Sequence, residues 1–244
     1  MDPIRFAEAC ARVVGVEYER ASVGLLAEKT LHAVLKEYFE PDHSFHEVKV
    51  GSHHADICRD GRIIEIQTRS LGNLRKKLSR LLEDYPVTVV YPIPATKYLC
   101  WMDPESGEVL SKRRVAKKGS FYDAGRELWA LSSCLAHPNL TVRLLRIDME
   151  EYRLQNGWSK DGKRGSERYD RIPLALVDEL VLDTPASFEG LFPTGLPECF
   201  TAKDFKRAVK GGPRTAPALL SVLVRMGIAV KVGTEGRAFV YKHA

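Results

Sequence analysis

The chain has 244 residues, 44% of them hydrophobic and 28% charged, a composition that suits one large globular domain or two smaller ones. No run approaches 18 apolar residues, which excludes a membrane-spanning helix, and no apolar core follows the amino-terminal MDPIRFAEACARVV, which excludes a secretory signal there. The net charge of +5 is uneven, because Thr201 to Ala244 carries nine basic and two acidic residues, so the tail predicts an anionic partner, most simply nucleic acid. Five widely spaced cysteines without a CxxC pair argue against a disulfide framework or zinc ribbon and for reduced thiols in a cytoplasm.

Residues 3–14 read as an amphipathic helix with Pro3 in its first turn. Ser22 caps a second helix in which Val23, Leu26, Ala27, Leu31, Val34, Leu35 and Tyr38 recur at helical spacing until Pro41. Glu28 falls near the core side of that helix, three residues before Leu31 and seven before Leu35. An acid there is costly unless it is paired or bound to a metal; the alternative is a boundary residue reaching solvent or pairing with His32.

Strands are predicted at 45–50, 53–58 and 62–68. Asp60-Gly61 between the last two is a hairpin signal, since a two-residue type I′ turn needs positive φ at both central positions. That turn pairs Arg59 with Arg62, Cys58 with Ile63, Ile57 with Ile64 and Asp56 with Glu65. Asp56 and Glu65 would then oppose each other with β-carbons roughly 4.5–5.5 Å apart, which destabilises a hairpin. Either the two acids lie on a solvated polar face with His54 and Gln67, or a divalent cation between them relieves the repulsion.

SLGNLRKKLSRLLEDY gives a helix with Leu71, Leu74, Leu78, Leu81 and Leu82 on one side, and PVTVVYPI a buried strand, completing an αβββαβ order in a mixed α/β (α+β) architecture. Further on, a hairpin is expected around Glu105-Ser106-Gly107, a helix over DAGRELWALSSCLA and a long strand over LTVRLLRIDMEEYRL. Residues 156–173 read as an exposed loop or hairpin, and LALVDELVL as a helix or a strand. Trp101, Trp129 and Trp158 are expected to pack rather than stack on bases. The Pro- and Gly-rich stretch TPASFEGLFPTGLPEC places a boundary near 190, dividing the chain into domains 1–190 and 191–244. The second holds two helices, TAKDFKRAV and PRTAPALLSVLVRMG, and a hairpin turning at Glu235-Gly236. This order resembles a winged helix-turn-helix over about 44 residues and is expected to fold alone.

With Glu28 on the first long helix, Asp56 on one strand and Glu65-Ile66-Gln67 on the next, residues 20–95 resemble the PD-(D/E)XK nuclease superfamily and its restriction-endonuclease-like core. The resemblance implies that Asp56 and Glu65 ligate Mg²⁺ (or Mn²⁺), with the Ile66 carbonyl as a further ligand and Glu28 supporting the site. The metal would lower the pKa of a water and stabilise charge on the scissile phosphate of DNA. The departure is Gln67, where the family usually carries Lys; Gln can orient a water but brings no charge. A Lys from another element could replace it, and Lys49 on the neighbouring strand is a candidate.

DNA contacts are expected from Arg69, Arg75 and Lys76 in the basic run after Gln67, from Lys203, Lys206 and Arg207 on the first tail helix, from Arg214 and Thr215 opening the second, and from Arg237 in the wing. The expected function is Mg²⁺-dependent hydrolysis of DNA phosphodiesters targeted by the winged helix. The alternative is a catalytically degenerate nuclease fold that binds DNA or regulates. No membrane partner is expected, and the pattern leaves a homodimer open.

Overall fold

The computed structural model describes residues 1–20, 29–157 and 167–244. Helices α1 (Pro3–Arg20) and α2 (Thr30–Phe39) lead into strands β1 (His46–Val50), β2 (His53–Arg59) and β3 (Arg62–Ile66), helix α3 (Arg75–Asp84) and strand β4 (Val87–Met102). The described order is thus αβββαβ, as the hydrophobic periodicity predicts, with a short 3-10 turn at Leu71–Leu74 opening α3. Strand β5 (Val109–Arg114), helix α4 (Gly125–Ala130) and strands β6 (Leu140–Leu154) and β7 (Glu167–Leu182) follow. LALVDELVL is therefore strand, and residues 167–173 of the expected loop belong to β7.

These strands form a seven-stranded mixed sheet in the order β1-β2-β3-β4-β6-β7, with β5 paired to β4. β3 runs antiparallel to β2 and parallel to β4, so it is an interior strand bonded on both edges. The parallel step needs a crossover, and α3 supplies it. Asp60 and Gly61 both have positive φ, 50° and 71°, and the register is Arg59–Arg62, Cys58–Ile63, Ile57–Ile64, as the turn chemistry requires.

The chain divides into two compact units, neither contiguous in sequence, and β4, β6 and β7 contribute to both. One unit contains Met1–His46, Pro94–Gly119 and Leu145–Asp178. In it α1 lies along α2, with Phe6 edge-on to Tyr38 at 5.4 Å, while Lys29 donates to the Tyr169 carbonyl and Thr30 to the buried Asp170 carboxylate, tying α2 to β7.

The other unit contains Glu47–Ile93, Ser120–Leu144 and Glu179–Ala244. Its carboxyl-terminal part is β8 (Cys199–Thr201), α5 (Ala202–Ala208), α6 (Thr215–Arg225), β9 (Ala229–Glu235) and β10 (Ala238–His243), with a three-stranded sheet ordered β8-β10-β9. Thr201 caps α5 through a reciprocal box with Asp204, as a Thr three residues before an acid dictates. Residues 191–244 do not keep a core to themselves. Phe200, Phe205, Leu219 and Leu223 join the same cluster as Leu71, Leu78, Leu128 and Val142, and an isolated 197–244 segment would expose that apolar surface to water.

In this unit α4 and α6 meet closely at Gly125, where a β-carbon would stand 2.7 Å from Leu219 Cβ and 2.8 Å from the Thr215 carbonyl oxygen. Gly125→Ala is therefore expected to lose about 1–3 kcal/mol despite the better helix propensity of Ala, a result that urea denaturation measures directly. Unchanged stability would mean that α4 and α6 are not held at this distance. Among the described residues no helix is long and apolar enough to cross a membrane, and all five cysteines are free thiols.

Candidate active site

The turn at Asp60-Gly61 sets Asp56 and Glu65 on adjacent antiparallel strands. One position beyond the Ile57–Ile64 pair, Asp56 reaches across the hairpin, and its Oδ2 accepts a hydrogen bond from the Ile66 amide at 2.6 Å. Glu65 is 2% exposed, because its strand lies between β2 and β4 and the neighbouring Ile63 is buried in the core. A solvated polar face is therefore excluded for Glu65, whereas His54 is exposed and Asp56 and Gln67 are half-buried.

Burial lifts the Glu65 carboxyl from the usual 4.5 to about 7; the negative Asp56 adds to the rise, and Lys77 opposes it. Lys77 comes from α3. Its ammonium lies 2.6 Å from Glu65 Oε2 and also donates to the His54 carbonyl. The second carboxylate oxygen, Oε1, is buried without a hydrogen-bond partner. A buried carboxylate oxygen left bare is costly, and the negative Asp56 is near enough to act on the same carboxyl.

Lys77 belongs to the basic run after Gln67 but is not among the residues that the sequence singles out for the site. Lys49, the lysine considered there as a replacement, is exposed on β1. The signal for Lys77 was present: it follows Leu74 by three residues and precedes Leu81 by four, which sets it on the flank of the apolar stripe that faces the sheet. Its companions Arg75, Lys76 and Arg80 point to solvent, as does Arg69. Gln67 is tied into the sheet by its amide, which donates to the Val90 carbonyl at 2.9 Å, while its Oε1 accepts from the Arg69 amide at 3.2 Å. Ile66, the further expected ligand, gives its N–H to Asp56.

Glu28 lies outside the described residues, so the pair Asp56 and Glu65 stands without the third acid. Among the described residues no group of three or more His, Cys, Asp or Glu side chains converges. The four histidines 43, 46, 53 and 54 form no such group either; His43 pairs with Glu37 and stacks on His46. Two carboxylates, one with a bare oxygen, still fit a hard cation, since Mg²⁺ takes one or two carboxylates and keeps several waters. They do not fit zinc, which needs four nitrogen or sulfur-rich ligands in a closed structural site.

The tail residues expected to meet DNA split by position. Lys203, Lys206, Arg207, Arg214 and Arg237 are exposed, and Arg207 lies 3.7 Å from Asp204. Thr215 is half-buried, because the first turn of α6 rests on Gly125 of α4.

Residues 29–183 match the family model described as "Domain of unknown function (DUF8091)". An uncharacterized protein of Treponema pallidum (strain Nichols) is 31% identical over 230 residues, spanning 91% of this chain and 87% of its own length. No solved structure matches the chain.

Proposed function

The chain belongs to the family of that domain of unknown function (DUF8091), and within it we propose a metal-dependent hydrolase of DNA phosphodiesters built on a PD-(D/E)XK-like core. The observation that carries this reading is the bare Oε1 of buried Glu65, set beside Asp56 and Lys77 on an αβββαβ frame. Asp56 and Glu65 are the residues that would hold Mg²⁺ or Mn²⁺, with Glu28 as their support. When bound, the metal would supply positive charge to the scissile phosphate and acidity to the attacking water.

The remaining work falls to the chain's own side chains. Lys77 places a fixed ammonium where the pattern has only the uncharged Gln67, and keeps Glu65 nearer its ionised, ligating form than burial alone would allow. Gln67, at the end of β3, can hold a water by hydrogen bonding. The β8-α5-α6-β9-β10 order supports a winged helix-turn-helix, and its exposed Lys203, Lys206, Arg207 and Arg237 supply phosphate contacts.

One observation favours a catalytically degenerate protein that binds DNA or regulates. Each site residue already has an internal partner: Lys77 for Glu65, the Ile66 amide for Asp56, the Arg69 amide for Gln67. Assaying the full chain with Mg²⁺ or Mn²⁺ on linear, supercoiled, branched and single-stranded DNA decides between the two. Absence of cleavage on all four, together with absence of Mn²⁺ binding, removes the hydrolase.

Gln67 gives a finer test. With an active site, Gln67→Ala is expected to slow cleavage about 10-fold or more with metal affinity unchanged, because it loses a water contact and no ligand. Unchanged single-turnover rates would deny Gln67 any contact with the reacting water. In a degenerate site, Gln67→Lys would be the substitution that creates activity.

A further inference from the structure

We propose that the groove between α4 and α6 holds an unpaired nucleotide of a nucleic-acid strand, its base stacked on Trp129 and its flanking phosphates on Arg126 and Arg214. The inference rests on the reading of the chain as a nucleic-acid enzyme and deepens it by naming the strand form that it grips.

The groove encloses about 450 Å³ between the two helices and the turn before α3, the scale of a small-ligand cleft. Arg126 and Trp129 are three residues apart on α4, and Arg214, Pro217 and Ser221 follow the i, i+3, i+7 line on α6, so each helix shows one face to the groove. Trp129 is 55% exposed, contrary to the packing role its sequence context suggests. Among the described residues its indole has no ring or hydrogen-bond partner, and neither arginine has an ion pair. A large exposed aromatic lining one groove with two unpaired guanidiniums matches the chemistry of a single strand, in which the base offers a π-face and the backbone offers phosphates for bidentate contact.

The walls are fixed rather than loose. Gly125 lets α6 approach at the distance of a missing β-carbon. The one carboxylate among the lining residues, Glu127, accepts the Leu71 amide at 2.8 Å and thereby pins the 71–74 turn to α4. One edge of the groove is linked along the chain to the acid-bearing strand. Ser70 lines it and follows Gln67 by three residues, so their Cα atoms are at most about 11 Å apart. At 3.4 Å of rise per nucleotide in one strand, that is a reach of about three nucleotides. A strand that passes Ser70 is therefore within that reach of Gln67.

The test uses the full chain in EDTA, so that binding is read without cleavage. Labelled oligo-dT, oligo-rU and a blunt duplex are titrated by fluorescence anisotropy, with tryptophan emission followed in parallel. The expected result is tighter binding of one or both single strands than of the duplex, with quenching that disappears in Trp129→Ala. That variant should bind about 5- to 100-fold more weakly, the range of one lost base–aromatic stack. Arg126→Ala and Arg214→Ala should each lower the slope of log affinity against log salt by about 0.7. The dT and rU arms tell DNA from RNA. All three residues are exposed, so folding is not at stake, and circular dichroism verifies it.

No binding of either single strand at low salt overturns the proposal, as does binding indifferent to all three substitutions or a duplex bound with the same dependence on Trp129. The two readings fail separately. A strand bound through Trp129 by a protein that cleaves nothing removes the hydrolase and leaves the groove. Mg²⁺-dependent cleavage by a protein that binds strands independently of these residues does the reverse.

Discussion

Glu65→Gln is expected to remove Mg²⁺-dependent cleavage by at least about 10²–10³-fold, the scale on which enzymes lose a charge placed at the reacting phosphate. It should also flatten the dependence of stability on pH. The folded-state carboxyl titrates at about 7 and its unfolded counterpart near 4.5, so the native protein holds a proton that the unfolded chain has released. Stability linked to this group is fully present below 4.5 and is lost as pH rises through about 7, in total by about 3 kcal/mol. Gln has the shape of the protonated acid and no proton to lose, so the variant should show the low-pH stability throughout.

Metal binding runs the other way, because the ligating form is the ionised one. Wild-type Mg²⁺ affinity should rise about tenfold per pH unit up to about 7 and then level off. Asp56→Asn should abolish cleavage to the same extent, and by removing a negative neighbour it should move the Glu65 titration downward, since Asp56 is one of the two causes that raise it. Wild-type rates in the Glu65→Gln, Asp56→Asn double variant would end the hydrolase reading. Metal affinity that ignored pH between 5 and 8 would mean that Glu65 is not a ligand.

The parts of this site differ in how far the sequence exposes them, and the difference follows chain distance. Asp56 and Glu65 are legible because a two-residue turn fixes a register, and the register fixes which side chains meet. The αβββαβ order is legible for a similar reason, since apolar periodicity and Gly, Pro and Asp punctuation act within a few residues. The depth of Glu65 is not a local property. It depends on β4 closing the far edge of β3, a parallel pairing made across an intervening helix. Lys77 shows the intermediate case. Its helical phase places it beside the core stripe, yet nothing local says that the stripe's edge meets a carboxylate twelve residues back on a strand. The tail is the clearest limit. Its helices and hairpin are written in its own residues, but its sharing of a core with Leu71 and Leu128 depends on Gly125, whose missing side chain registers in sequence only as one more glycine.

The second large effect is expected at Lys77. Among the described residues its ammonium is the one cationic partner of a carboxylate that is 2% exposed. Lys77→Met should therefore leave Glu65 buried and charged above its titration point, a loss of about 3–5 kcal/mol at pH 9. At pH 5 Glu65 carries its proton in both proteins, and the variant should lose only hydrogen bonds, about 1 kcal/mol. The sign follows from the opposing influences on the carboxyl: Lys77 holds it down against burial and Asp56, so its removal moves the Glu65 titration further above 7 and widens the window in which stability falls with rising pH. Urea denaturation of both proteins at pH 5, 7 and 9 measures this, and a pH-independent difference would mean that the ion pair is not formed in solution. Cleavage gives the second readout. If Lys77 carries the charge that Gln67 lacks, Lys77→Met should slow the chemical step about 10²-fold, and Gln67→Lys in the same chain should restore much of it by returning an ammonium from the end of β3. Recovery of activity without recovery of the alkaline stability would separate the two tasks of Lys77, because a lysine at 67 need not pair with Glu65 Oε2 to reach a phosphate. Undiminished cleavage in Lys77→Met would show that the ammonium serves the fold alone.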